Sequence, residues 1–188
     1  MLNGGAGESM DAAEYTIILV NLGLAAGCTF PVARLLARAG GNRRRVRRYC
    51  AMLIGVYVAE AVAFSAGMAT NVFSVGLAVV WGTALGRWLR HSESPEREML
   101  KTALCFSLYS CLPAISFLSV FLLVALAGWP ILSADAGARF GVPAFVPWPA
   151  NTLLGFFGIV IGSAVVLKTV ITTGEVHLLI HRGRGRRQ

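Results

Sequence analysis

The sequence is poor in charge and poorer still in the motifs that usually carry chemistry. Charged residues make up 14% of 188 positions and only 9 of them are acidic, too few to clothe an ordinary soluble domain of that length. It contains no glycine-rich phosphate loop, Gly-x-Ser-x-Gly elbow, His-Glu-x-x-His or paired acidic cluster. Their lack argues against nucleotide, serine-hydrolase and metalloprotease chemistry, so no enzymatic activity of its own is expected. The 4 cysteines show neither CxxC nor Cys/His zinc spacing, which leaves them as small buried hydrophobes. Residues 1–14 contain no Lys or Arg, so the positive segment of a cleavable signal peptide is missing and the first apolar run is expected to be retained.

What is present in quantity is apolar sequence. Hydrophobic residues account for 56% of the chain and the mean hydropathy is +0.66, a composition suited to a bilayer. The pI of about 10.0 invites a nucleic-acid reading. That reading fails because the basic residues bracket apolar runs instead of sharing one face. Sixteen of the 17 Lys and Arg residues fall into three clusters, within 34–48, 87–101 and 168–187; Arg139 is the exception.

A span needs about 20 apolar residues, and that length divides the chain into five: 15–38, 49–69, 71–90, 99–127 and 150–172. The expectation is therefore an all-α integral membrane protein, a bundle of about five transmembrane helices. Residues 1–14 form a short polar extracytoplasmic N-terminus, 15–172 the transmembrane domain with an outer loop at 128–149, and 173–188 an interfacial segment and basic cytoplasmic tail. Lys and Arg near span ends stay on the cytoplasmic side, so the N-terminus lies outside, the C-terminus inside, and the membrane is of cytoplasmic type, inner or plasma. Four spans, or six with 128–149 re-entering, are the alternatives; six would carry the basic tail outside and are disfavoured. Arg43, Arg44, Arg45, Arg47 and Arg48 are expected to meet anionic lipid, at roughly 1 kcal/mol per basic residue near the surface.

Local signals refine the division. Thr70-Asn71 is expected to turn a tight hairpin, Ser94-Pro95-Glu96 to cap and open the fourth helix, and Trp81, Trp88, Trp129 and Trp148 to sit near span ends. Small residues at four-residue spacing allow close helix approach in lipid. They occur as Gly23/Gly27, Gly82/Gly86 and Gly158/Gly162, with Gly55 and Gly67 on one stripe of the second span. Whether these stripes meet one another or foreign chains is left open by the sequence.

Four groups are candidates for chemistry. Glu60 is the carboxylate inside a proposed span, near mid-bilayer, where a charge costs at least roughly 2.5–3.5 kcal/mol. It is either a proton or ion site or a structural hydrogen-bonding acid. Lys168, in the last third of the fifth span, is expected to snorkel to the interface, and Asn21 to bond a neighbouring helix. His177 and His181 share a helical face at i, i+4 spacing, but follow the end of the fifth span; an interfacial helix is expected there, with no metal and no haem, and no other cofactor is expected.

Cys28, followed by Thr29-Phe30-Pro31, and Cys111, followed by Leu112-Pro113, lie near the middles of spans one and four, where proline bends a helix. In this the chain resembles membrane-embedded thiol–disulfide carriers of the cytochrome c biogenesis type. The proline that precedes the cysteine in those carriers is absent here. The resemblance implies redox roles for Cys28 and Cys111. The functional expectation is a non-catalytic integral subunit of a larger membrane complex that scaffolds partner subunits. The alternatives are a small transporter or proton/ion-conducting protein using Glu60, and a thiol–disulfide carrier.

Overall fold

The computed structural model describes residues 5–41, 43–66, 72–92, 94–126 and 150–184. Every element among them is a helix: α1 is Gly5–Ala39, α2 Val46–Ala66, α3 Val72–Leu89, α4 Glu96–Ser110, α5 Leu112–Leu126 and α6 Ala150–Arg184. A short 3₁₀ turn, Arg43–Arg45, leads into α2. The hairpin at 70–71, Gly67, the loop 128–149 with Trp129 and Trp148, and the last four residues of the tail lie outside the described residues.

Within α1 and α6, Leu19–Ala39 and Gly158–Arg182 are long and apolar enough to cross a membrane. A third crossing is added if α4 and the start of α5, bent by 47° at Cys111, act as one span. The bend has a local cause: Pro113 supplies no N–H to the ladder, and at the break the Cys111 amide is shared between the carbonyls of Ser107 and Leu108 at 3.2 and 3.1 Å. The apolar part of α3, Phe73–Leu89, is shorter. In α2, Arg47 and Arg48 at the start and Glu60 further on interrupt the apolar character.

Both long helices outrun their expected limits. α1 starts at Gly5, ahead of Tyr15, and passes through Pro31 without a break. α6 continues past Thr172 and Gly174 to Arg184, so the histidine-bearing segment belongs to the same helix as the apolar stretch.

The helix ends that carry Arg38, Arg47, Arg87, Arg97 and Arg182 meet at one end of the bundle. A core of Leu36, Leu53, Leu89, Met99, Phe106, Val176 and Ile180 joins them. Arg44, Arg45, Arg47 and Arg48 are exposed there. The connection after α1 is tight. Gly41 has φ +69°, a conformation glycine accepts without a Cβ penalty, and a Cβ on Gly40 would lie 2.5 Å from Trp88 Cζ2. Trp88 packs edge-on against Tyr49, with ring centroids 5.6 Å apart.

The start of α4 differs from expectation. Pro95 occupies the cap position with no side-chain hydrogen bond. The Ser94 hydroxyl instead donates to the Ala39 carbonyl at 2.9 Å, as does that of Ser92. The closing carbonyls of a helix lack intrahelical donors; here the two serines serve that of Ala39, tying the α3–α4 link to α1.

Candidate functional site: the buried Glu60–Lys168 network

Among the described residues the α3–α6 seam is the most extensive helix pairing, and two glycines explain it. A Cβ on Gly82 would lie 2.9 Å from Glu175 Cβ and 3.1 Å from Thr172 Cα, and one on Gly86 would lie 3.2 Å from Val176 Cα. Neither position admits a side chain without moving a neighbouring helix, which is how small residues bring helix backbones together in lipid. One turn further along α6 from Thr172, toward its N-terminus, this approach carries Lys168 against Ser74.

Lys168 does not snorkel. It lies 16 residues before Arg184 at the end of α6, about 24 Å along a helix, and is 1% exposed. The expectation failed because α6 extends well beyond Thr172, which puts Lys168 deep in the helix. Its Nζ is 2.5 Å from Glu60 Oε2 and donates to Ser74 Oγ at 2.8 Å and to the Ser110 carbonyl at 3.1 Å. An ammonium has three N–H groups, and all three are used. The Ser110 carbonyl is the last of α4, at the negative end of that helix's dipole, a favourable place for a cation.

Glu60 is equally well served. Ser74 Oγ donates to Oε2 at 2.6 Å and Trp81 Nε1 donates to Oε1 at 2.7 Å. Ser74 and Trp81 are seven residues apart, two helical turns, so one face of α3 presents both. Trp81 therefore serves as a hydrogen-bond donor inside the bundle rather than as an interfacial aromatic. The network joins α2, α3, α6 and the α4–α5 break through a charge pair 1% exposed on both sides. Removing one member of such a pair leaves an uncompensated buried charge, at a cost of about 3–5 kcal/mol. In the same region Thr172 Oγ1 donates to the Ala78 carbonyl at 3.4 Å.

A second polar cluster ties α1 to α2 and α4. Thr29 Oγ1 and the Tyr109 hydroxyl are 2.8 Å apart, Tyr109 donates to the Leu53 carbonyl at 3.3 Å, and Tyr57 donates to Asn21 Oδ1 at 2.9 Å. Asn21 thus bonds a neighbouring helix. Beside these groups opens an apolar cleft of about 490 Å³, lined by Leu22, Ala26, Phe30, Ile54 and Val58 among others.

The other glycine pairs behave differently from Gly82 and Gly86. Among the described residues, a Cβ on Gly23, Gly27, Gly55, Gly158 or Gly162 would meet nothing within 4 Å. Cys28 and Cys111 are free thiols, half-buried and buried respectively. His177 and His181 lie at the Arg-bearing end, within reach of Glu96 on α4: Glu96 Oε1 is 3.7 Å from His177 Nδ1 and 3.2 Å from His181 Nε2.

Sequence reasoning found Glu60 and missed its partners. Ser74 and Trp81 carried a usable signal, a polar residue and an indole two turns apart in an apolar run. Lys168 is the natural cation to suspect as a partner along the chain, but that it reaches Glu60 depends on how α3 meets α6. No family model, curated protein or solved structure matches this chain.

Proposed function

We propose that this protein is a non-catalytic integral subunit of a larger membrane complex. In this reading α1, α2, α3, the bent α4–α5 pair and α6 make five crossings. The helix ends rich in arginine face the cytoplasm beside anionic lipid. The glycine faces of α1 and α6 receive apolar helices of partner subunits.

The observation that carries the reading is the contrast among the glycine pairs. Gly82 and Gly86 are filled from within the chain, whereas among the described residues nothing lies within 4 Å of where a Cβ on Gly23, Gly27, Gly158 or Gly162 would be. In lipid, helix association draws on close backbone approach, and two such stripes face outward. The cleft between α1 and α2, walled by the exposed Leu22, Phe30, Ile54 and Val58, runs beside the Gly23/Gly27 stripe.

The test is purification from native membranes in mild detergent, with identification of every chain that travels along. Co-purifying membrane subunits in fixed ratio, lost on Gly23→Leu/Gly27→Leu substitution, are the expected result. A detergent-stable monomer with no companion would refute it.

A second reading keeps Glu60 as the titrating residue of a small proton or ion pathway. It is favoured by a carboxylate and an ammonium 2.5 Å apart deep within apolar helices, where ionisable groups often mark ion and proton routes. Reconstituted Glu60→Gln protein with full proton or ion flux would eliminate it.

A further inference from the structure

We infer that Glu96, His177 and His181 form a binding site for one divalent transition-metal ion of the Zn²⁺ class at the Arg-bearing end of the bundle. The three residues come from two helices, with His181 85 positions from Glu96 in sequence, yet their ligand atoms all lie within 4.8 Å of one another. Glu96 stands in the first turn of α4, and the histidines project from adjacent turns of α6 with ring centroids 4.3 Å apart.

The spacing suits a tetrahedral ion. With metal–ligand bonds of about 2.0–2.1 Å, neighbouring ligands of a tetrahedron stand about 3.3 Å apart. The Glu96 Oε1 distances of 3.2 Å to His181 Nε2 and 3.7 Å to His177 Nδ1 bracket that value. Two imidazoles and one carboxylate are the donors of Zn²⁺ sites that keep a fourth position for water or another ligand. Ca²⁺ and Mg²⁺ prefer all-oxygen shells and are disfavoured.

Access is open: the His177, His181 and Glu96 side chains are 50%, 54% and 31% exposed. The helical scaffold of α6 holds the two histidines in register. Once bound, it would fasten the first turn of α4 to the closing turns of α6.

The experiment uses full-length protein in detergent, purified through a tag free of histidine and titrated with Zn²⁺ and with Co²⁺ as a visible reporter. The expected result is one equivalent bound, with the visible absorption of tetrahedral Co²⁺. Removing a direct ligand should cost no less than removing a group that merely orients one. His177→Asn, His181→Asn and Glu96→Gln are therefore each expected to weaken binding by about tenfold or more. His91→Asn, which alters the remaining histidine, should leave it unchanged. All three ligand side chains are at least partly exposed, and unchanged gel-filtration profiles would confirm that the variants fold. No saturable binding, unchanged affinity in the His177→Asn/His181→Asn double variant, or loss with the histidine variants but not with Glu96→Gln would each overturn the three-ligand site.

Discussion

Two glycine pairs with the same spacing meet opposite fates in this protein. On α3, Gly82 and Gly86 lie under the backbone of α6, and the close approach they permit carries Lys168 to Ser74 and Glu60. On α1, no described residue comes within 4 Å of where a Cβ on Gly23 or Gly27 would be. A small-residue motif thus states that a backbone can be approached, not by what. Where the chain supplies the approaching helix, the motif builds its own seam; where it does not, the same motif becomes a surface.

The largest expected effect tests the closed seam at its charge pair. Lys168→Met should destabilise the protein by about 3–5 kcal/mol, because Glu60 is left buried and unpaired. Glu60→Gln/Lys168→Met together should recover much of that loss, since replacing a buried pair with neutral groups is often close to neutral. Reversible unfolding in mixed micelles measures both, and a double variant as unstable as the single one would show that the pair is not the source of the cost.

Next comes the glycine contrast itself. Gly86→Leu should cost about 1–3 kcal/mol or more by overpacking against Val176 and Leu179. Gly27→Leu should leave the isolated chain's stability within about 0.5 kcal/mol or raise it, while removing any partner that docks on α1. Equal losses at the two positions would abolish the distinction between seam and surface.

Of similar size is Trp81→Phe, which keeps the ring and removes the donor to Glu60 Oε1. A hydrogen bond to a charged group is worth about 1.5–3 kcal/mol, and the same unfolding assay should return a loss in that range. Smallest are Cys28→Ala and Cys111→Ala. Each should cost about 1 kcal/mol or less if the thiols act as small hydrophobes, with complex assembly unchanged. Assembly or activity that fails in both would revive the thiol–disulfide reading instead.

Much of this architecture was legible along the chain. A carboxylate in an apolar run, a proline two residues after Cys111 and an i, i+4 histidine pair are local patterns, and Glu60, the bend of α4–α5 and the shared face of His177 and His181 follow from them. Their partners were not legible. Ser74 and Lys168 are 94 residues apart, and nothing in the neighbourhood of either indicates that they touch. The snorkelling expected of Lys168 failed for a related reason: a residue's depth depends on where its helix ends, and α6 extends to Arg184. The Ser94 cap failed because a carbonyl of α1, from a distant part of the chain, competes for its hydroxyl.

By itself, then, the sequence determined that the chain is helical and apolar, where its basic residues concentrate, and that Glu60 needs a partner. Those properties follow from composition and short-range periodicity, which transfer free energy and helix geometry fix locally. Tertiary structure decided which glycines face inward, which cation answers Glu60 and which carboxylate joins the two histidines. Each of those choices is a contact between helices remote in sequence, set by how closely two backbones can approach.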